Sequence, residues 1–208
     1  MTYAQQKRVL DILVALGLMV LFLPIWVVVP ILIILDSGFP VIFRHTRVGA
    51  NGLPIRIYKF RSMVQNADDI LYKHNQELLK KFKEGDWKVE AKDDPRITQL
   101  GAVLRALTID EFPQLLNVLK GEMSIVGPRA YMQQELDEQV KRYPETKPYV
   151  KKILSVKPGI TGVWQTGGRN HIPFARRAKM DAEYVDTRSI WSDILILFKT
   201  PKAMISKW

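Results

Sequence analysis

Hydrophobic positions fall into three regimes along this chain: one unbroken apolar run, a pair of short β-prone segments, and helical-period stretches beyond them. From Ile12 to Leu35 no charged residue occurs. About 24 residues at ~1.5 Å rise would form a helix of roughly 36 Å, against a hydrocarbon core of ~30 Å. Lys7 and Arg8 precede the run, and Arg44, His45, Arg47, Arg56, Lys59 and Arg61 follow it. Positive charge marks the cytoplasmic side of a span, so both flanks ask for the same face. Pro24 removes a backbone donor and clashes with the preceding turn. The pattern therefore predicts a re-entrant helix that enters, breaks near Pro24 and leaves on the side it entered. Carbonyls freed near Val20 would then need local partners. An ordinary single span kinked at the proline is the alternative. A cleaved signal peptide fits less well, because its apolar region is about 7–15 residues long and ends in small residues.

Beyond the run, 41–43 and 55–60 read as strands around Gly49-Ala50-Asn51-Gly52, where Asn-Gly is a hairpin signal. Residues 66–85 follow a helical period, with Ile70, Leu71, Leu78, Leu79 and Phe82 near one face and lysines elsewhere. Such a helix lies either on a membrane interface or on a core with its lysines in water. Asp93-Asp94-Pro95-Arg96 predicts a turn, and a helix over about 101–106 follows. The segment 190–198 predicts a last helix ending near Pro201, with Trp191, Lys202, Lys207 and Trp208 suited to a membrane interface. The fold expected is α+β: a membrane helix-break-helix over 1–40, then a hairpin and a mainly helical catalytic domain over 41–208 with amphipathic interfacial helices. No repeat or low-complexity linker divides the remainder, whose length suits one domain.

Composition narrows the chemistry. Lys and Arg number 31 against 21 Asp and Glu, a net charge of +10, which favours anionic partners: lipid headgroups, nucleotides or nucleic acid. Cysteine is absent and the three histidines are scattered, which excludes disulfides and disfavours zinc or non-haem iron. Any metal should be a hard cation, magnesium, held by carboxylates and phosphate oxygens.

The chemistry-bearing segment is Leu107 to Gly121. Proline is tolerated in a first helical turn and glycine is a natural stop, so a helix should begin within a few residues of Asp110. Asp110 and Glu111 then sit at a helix N-terminus, favourable for carboxylates, with free amides able to receive a phosphate. The plainer reading is a capping box of Thr108 and Glu111. Basic residues beside Gly or Pro turns, or in short basic clusters, favour a diphosphate ligand: Lys59 and Arg61, Arg96, Arg105, Arg129 and Arg169. No P-loop and no dinucleotide-binding glycine motif is present.

These residues carry a resemblance over nearly the whole chain. Lys7-Arg8 with Asp11, Val48-Gly49 with Gly52, Tyr58-Lys59-Phe60-Arg61-Ser62-Met63, Asp94-Pro95-Arg96-Ile97-Thr98 and Asp110-Glu111-Phe112-Pro113-Gln114-Leu115 occur in order. Asn117 to Ser124, Val126-Gly127-Pro128-Arg129, Pro158 to Gly162 and Gly168-Arg169 follow. The chain resembles the bacterial sugar transferase family, the monotopic polyprenol-phosphate phosphoglycosyl transferases. It departs at Ala130, where that family usually has proline, and at Leu23, where a small polar residue is often found. The resemblance implies a re-entrant anchor at the cytoplasmic face of a bacterial plasma membrane. It implies transfer of a sugar-1-phosphate from a UDP-sugar to polyprenol phosphate, with Asp110 as nucleophile in a ping-pong exchange, Glu111 holding Mg2+, and Arg105 and Arg129 offsetting charge. It further implies substrate contacts at Lys59, Arg61, Arg96, Gln165, Gly168, Arg169, Asp181 and Tyr184. Anionic lipids are expected partners and nucleic acid is not, while a homodimer and the identity of the sugar stay open. The competing class is a singly spanning, non-enzymatic protein that binds nucleotide sugar or nucleic acid.

Overall fold

The computed structural model describes residues 1–87, 89–167 and 172–205. Two apolar helices come first, α1 (Tyr3–Leu21) and α2 (Leu23–Ser37), bent by 63° about Phe22. Among the described residues no single helix is long and apolar enough to cross a membrane, whereas this bent pair passes that test together. The break falls where Pro24 predicts it: proline occupies the first turn of α2, where a missing N–H deprives nothing. The Phe22 N–H donates to the carbonyls of Leu18 and Val20, and the Ile25 N–H to that of Phe22, so the junction is hydrogen-bonded. Pro30 lies inside α2 without ending it, because Val29 and Ile33 on either side are buried against Phe60 and Leu104. The outward sides of the pair leave Leu13, Leu16, Val20, Leu21, Leu23, Val27, Val28, Ile31 and Leu35 exposed.

Strands β1 (Ile42–Val48) and β2 (Pro54–Phe60) form an antiparallel hairpin, closed by Asn51 in the left-handed conformation at φ 58°. Arg61 ends the hairpin and reaches back to α2, donating Nη2 to Ser37 Oγ at 2.9 Å and to the Gly38 carbonyl at 2.6 Å. The second helical arm is thereby tied at its C-terminus, where unpaired carbonyls favour a cation.

The single helix expected over 66–85 is instead α3 (Ala67–Asp69), a π-turn over Ile70–His74, and α4 (Gln76–Glu84). Asn75 explains the division, since its side chain accepts the Leu78 N–H at 2.8 Å and restarts the helix as an N-cap. Helix α5 (Gln99–Ala106) is capped by Thr98. It packs so tightly that a Cβ on Gly101 would lie 2.0 Å from the Ser62 carbonyl oxygen, so only glycine permits that approach. A 3-10 turn, Ile109–Glu111, precedes α6 (Gln114–Lys120). The capping box read at Thr108 is not formed: Thr108 is left-handed at φ 58° with no side-chain cap.

Strand β3 (Ser124–Val126) then pairs in parallel with β4 (Gly159–Thr161) around α7 (Gln133–Arg142) and α8 (Lys147–Ile153). The chain closes with α9 (Val163–Thr166), α10 (Phe174–Thr187) and α11 (Ile190–Ile205). The last helix does not stop near Pro201 but carries it inside, held by the burial of Ile196 and by Thr200, whose hydroxyl donates to the Ile196 carbonyl at 2.8 Å. Lys207 and Trp208 lie outside the described residues. The largest core joins Ala15 of α1 to Ile57, Leu115, Val118, Ile125, Val126, Tyr184 and Ile196, so the apolar pair and the remaining elements share one interior.

Candidate active site

Three elements meet at the dyad. The 3-10 turn carries Asp110 and Glu111, β2 carries Lys59, and α5 ends at Arg105 beside them. The Lys59 ammonium lies 2.6 Å from Glu111 Oε1 and 3.7 Å from Asp110 Oδ2, bridging the two carboxylates. Their register is set by Asn117 on α6, which is fully buried. Its Oδ1 accepts the Tyr58 N–H at 3.0 Å, and its Nδ2 donates to the Arg56 carbonyl at 2.8 Å and to Glu122 at 2.6 Å. An asparagine so used locks the helix after the dyad to the strand bearing Lys59. Its signal in the sequence is a polar residue mid-helix with apolar neighbours, a position asparagine otherwise disfavours.

Burial splits the dyad electrostatically. It pushes Asp110 up, as does the neighbouring Glu111 charge, while Lys59 and Arg105 pull it down without cancelling the rise. Burial also raises Glu111, but Lys59, Arg129 and Arg47 outweigh it and hold that carboxyl below its ordinary value. Two adjacent acids pushed in opposite directions suit different chemical uses: the lowered one suits a fixed anion, and the raised one a more basic carboxylate.

A second group lies behind this one. Arg129 stacks over Trp164 at 5.8 Å, Arg177 covers the same ring at 5.2 Å, and Trp164 Nε1 donates to Asp181 Oδ2 at 3.2 Å. The Arg129 backbone N–H donates to that same oxygen, also at 3.2 Å. Asp181 is thus a holder of the Gly127-Pro128-Arg129 turn, and burial pushes its carboxyl up to about 7. Glycine is required at 127, where a Cβ would stand 2.8 Å from the Gly159 amide nitrogen.

Several residues expected at a substrate site are held elsewhere. Arg96 is buried and engages Asp94 through two bonds, at 2.8 and 2.7 Å. Arg61 is spent on Ser37 and Gly38. The Tyr184 hydroxyl donates to Asp193 Oδ1 at 2.6 Å, in a cluster with Tyr3 and Lys7 of α1. Gln165 Nε2 donates to the Ile160 carbonyl at 3.0 Å. Gly168 and Arg169 lie outside the described residues. The structure therefore brings Lys59, Arg105 and Arg129 to the dyad electrostatically, and leaves Arg61, Arg96 and Tyr184 in other networks.

Among the described residues no group of three or more His, Asp or Glu forms a ready-made metal cage. The dyad does fit a hard cation of the kind that takes one or two carboxylates and completes its shell with substrate phosphates and water. The Lys59 ammonium already marks the point between the two carboxylates where positive charge is held.

The contact that connects this site to the apolar helices is Phe22 against Phe112, edge to face with centroids 5.3 Å apart. Phe112 directly follows Glu111, and Phe22 is the residue at the helix break. A buried aspartate and a half-buried glutamate beside a bent apolar hairpin, with Lys59 and several arginines acting on them, define a class: a group-transfer enzyme working on anionic, phosphate-bearing substrates. The bacterial sugar transferase family matches residues 2–207, and the chain belongs to that family. Exopolysaccharide production protein ExoY of Rhizobium meliloti is 38% identical over 203 residues, covering 95% of this chain and 84% of that protein. The undecaprenyl-phosphate galactose phosphotransferase of Salmonella typhimurium is 39% identical over 97% of this chain, which spans only 40% of that longer protein. The UDP-glucose:undecaprenyl-phosphate glucose-1-phosphate transferase of Caulobacter vibrioides is 36% identical, over 97% of this chain and 70% of its own.

Proposed function

We propose that this chain moves a sugar-1-phosphate from a UDP-sugar to undecaprenyl phosphate, releasing UMP, at the cytoplasmic face of a bacterial plasma membrane. The observation that carries the reading is the Phe22–Phe112 contact, which sets the dyad directly against the broken apolar helix pair. A water-soluble donor and a lipid acceptor can share one carboxylate only if it lies at the bilayer surface. Residues 1–40 act as a re-entrant anchor, with Lys7, Arg8 and the basic hairpin on one side, attracted to anionic lipid. Residues 41–208 act as the catalytic domain.

An Asp110 carboxylate oxygen attacks the β-phosphorus, and the bond to the UMP oxygen breaks. The phosphosugar is left as an acyl phosphate on Asp110. UMP leaves as an anion, so no proton donor is required. A phosphate oxygen of undecaprenyl phosphate then attacks the same phosphorus, restoring the Asp110 carboxylate and giving a polyprenyl diphosphate sugar. Anion attacks anion in both steps, and Lys59, Arg105 and Arg129 offset the charge that gathers on phosphorus. Magnesium, held by Glu111 and Asp110 with the donor's phosphates, would add Lewis-acid polarisation of the phosphoryl oxygens.

The test is a single-turnover assay without acceptor. The reading expects one equivalent of UMP per enzyme from wild type, a phosphosugar adduct on the peptide containing Asp110, and neither from Asp110→Asn. UMP release that waits for the acceptor, with no adduct, would sink the two-step mechanism.

A further inference from the structure

The hairpin register pairs Phe43 with Lys59, His45 with Ile57 and Arg47 with Ile55. Directly opposed residues of antiparallel strands point to the same face, so His45 and Arg47 share the face from which Lys59 reaches the dyad. Arg47 is largely buried. Its Nη1 donates to the Ala130 carbonyl at 3.5 Å and lies 3.7 Å from Glu135, and its Nη2 is 3.2 Å from His45 Nδ1. A guanidinium has no acceptor atom, so His45 Nδ1 must accept. The proton of the neutral ring then sits on Nε2, as an N–H without a hydrogen-bond partner among the described residues.

The surroundings of that N–H are strongly positive. Burial above all, with Arg47, Lys59 and Arg129 adding to it, pushes the His45 imidazole down to about 3. Burial and Arg129 likewise lower Arg47, to about 10. Both arginines act on Glu111, and the Nε atoms of both are buried with no hydrogen-bond partner among the described residues. Two orphaned guanidinium donors, an ammonium and an uncharged imidazole donor thus converge beside the dyad. Unpaired buried donors are costly, and what relieves like charges held together is an anion rich in acceptor oxygens.

We propose that His45 Nε2–H donates a hydrogen bond to a phosphate oxygen of the sugar-diphosphate donor, and that Arg47 is the positioning residue that fixes the tautomer. This rests on the transfer reaction set out above. A fourth positive charge at this point would be repelled by the other three, whereas a neutral N–H adds direction without adding charge.

The experiment uses the full chain in detergent with nitrogen-15-labelled histidine. The chain has three histidines, so His45→Gln assigns the His45 signal by its loss. At pH 7 the ring should be the Nε2–H tautomer and its signal should move on adding UDP. In Arg47→Met the two tautomers should mix. An Nδ1–H ring, or a signal that saturating UDP leaves unmoved, overturns the proposal. In turnover, His45→Leu should lower kcat/KM for the UDP-sugar about tenfold or more, leaving KM for undecaprenyl phosphate unchanged. His45→Gln, which keeps an N–H, should recover most of that loss. Equal losses in the two variants, or a loss matched by a drop in thermal stability, would assign His45 a structural role and overturn the proposal. Should wild type turn over no UDP-sugar, the transfer reading fails while the imidazole signal still decides whether His45 meets a diphosphate.

Discussion

The molecule contains two clusters of similar composition: Lys59 with Asp110 and Glu111, and the more deeply buried Lys7 with Asp11 and Asp193. In the second, nearly every acceptor is used. Asp193 accepts from Tyr3 at 3.1 Å and Tyr184 at 2.6 Å besides Lys7, and Asp11 accepts from Ser124 Oγ at 2.9 Å and the Ile125 N–H at 3.0 Å. In the first, Asp110 comes no closer than 3.7 Å to Lys59, accepts no side-chain hydrogen bond among the described residues, and has its carboxyl pushed up by burial. Two carboxylates and a lysine make a lock when hydroxyls and amides complete them; left incomplete, they keep a carboxylate free for the reaction proposed above. The lock fastens α1 to β3, α10 and α11, and Tyr184, expected at the substrate, gives its hydroxyl to this network.

The sharpest way to break this contrast is Asp110→Asn. Activity should fall at least about a thousandfold, because an amide cannot form the acyl phosphate. Stability should hold or rise. The folded-state value of Asp110 lies above its ordinary one, so its contribution is lost as pH rises, and removing the charge removes that penalty at neutral pH. UMP release and a thermal melt on the same preparation check both halves. A melting temperature that fell by several degrees would show that Asp110 is part of a lock after all.

Asp193→Asn should do the reverse. Removing the charge leaves Lys7 with Asp11 alone and sets an amide against two hydroxyl donors. The expected loss is about 2–3 kcal/mol, or roughly 5–10 °C in melting temperature. Turnover per folded molecule should stay within about threefold. Loss of activity without loss of stability would place this cluster in the reaction.

Asp181 tests the region between the two. Its carboxyl stands at about 7, above the ordinary 3.8, so the stability it contributes at low pH is lost as pH rises from about 4 to about 7. Asp181→Asn keeps an acceptor for Arg129 and Trp164 and should flatten that decline. The stability difference between wild type and variant, measured by denaturant titration at pH 5 and pH 8, should therefore shift in the variant's favour at the higher pH. A difference that does not change with pH would mean the carboxyl is ionised throughout.

What could be read from the sequence divides along the same line as these clusters. Local signals were legible: the Asn51-Gly52 turn, the break beside Pro24 and the turn placing Asp110 before α6 all depend on near neighbours. Partner choice over long distances was not. Arg61 meets Ser37 and Gly38, and Tyr184 meets a carboxylate on the next helix and the end of α1. Nothing in an arginine or tyrosine beside a family motif tells which acceptor tertiary packing will bring to it. His45 and Arg47 were legible only as positive charge beyond the apolar run. Their meaning comes from the β1–β2 register, which sets them on the same face as Lys59. Asn75 and Pro201 erred in opposite directions, because one side-chain cap divides a helical period that looked continuous, and core burial carries a helix through a proline that looked terminal.

The smallest effect expected, and the one that bears most on the membrane reading, is that of Pro24→Ala. An alanine regains an N–H able to bond the Val20 carbonyl, and it removes the ring that bars a straight helix. A straight helix over 3–37 would be long enough to span, drawing Lys7 and Arg8 across the bilayer and pulling Phe22 away from Phe112. Opposing this are contacts that do not involve Pro24: the Arg61 clamp on Ser37 and Gly38, the burial of Val29 and Ile33, and the lock at Asp11 and Asp193. The expected outcome is a minor spanning population with activity reduced less than about tenfold. Gln6→Cys, at an exposed position beside the lock, and Arg56→Cys in this cysteine-free chain, labelled by a membrane-impermeant reagent in spheroplasts, read the two ends separately. In the Pro24→Ala background, labelling at Gln6→Cys should appear in proportion to the activity lost, and Arg56→Cys should stay protected. Full activity with both ends protected would transfer the control of topology from the proline to the lock. Labelling of Gln6→Cys in the parent chain would replace the re-entrant anchor by a true span.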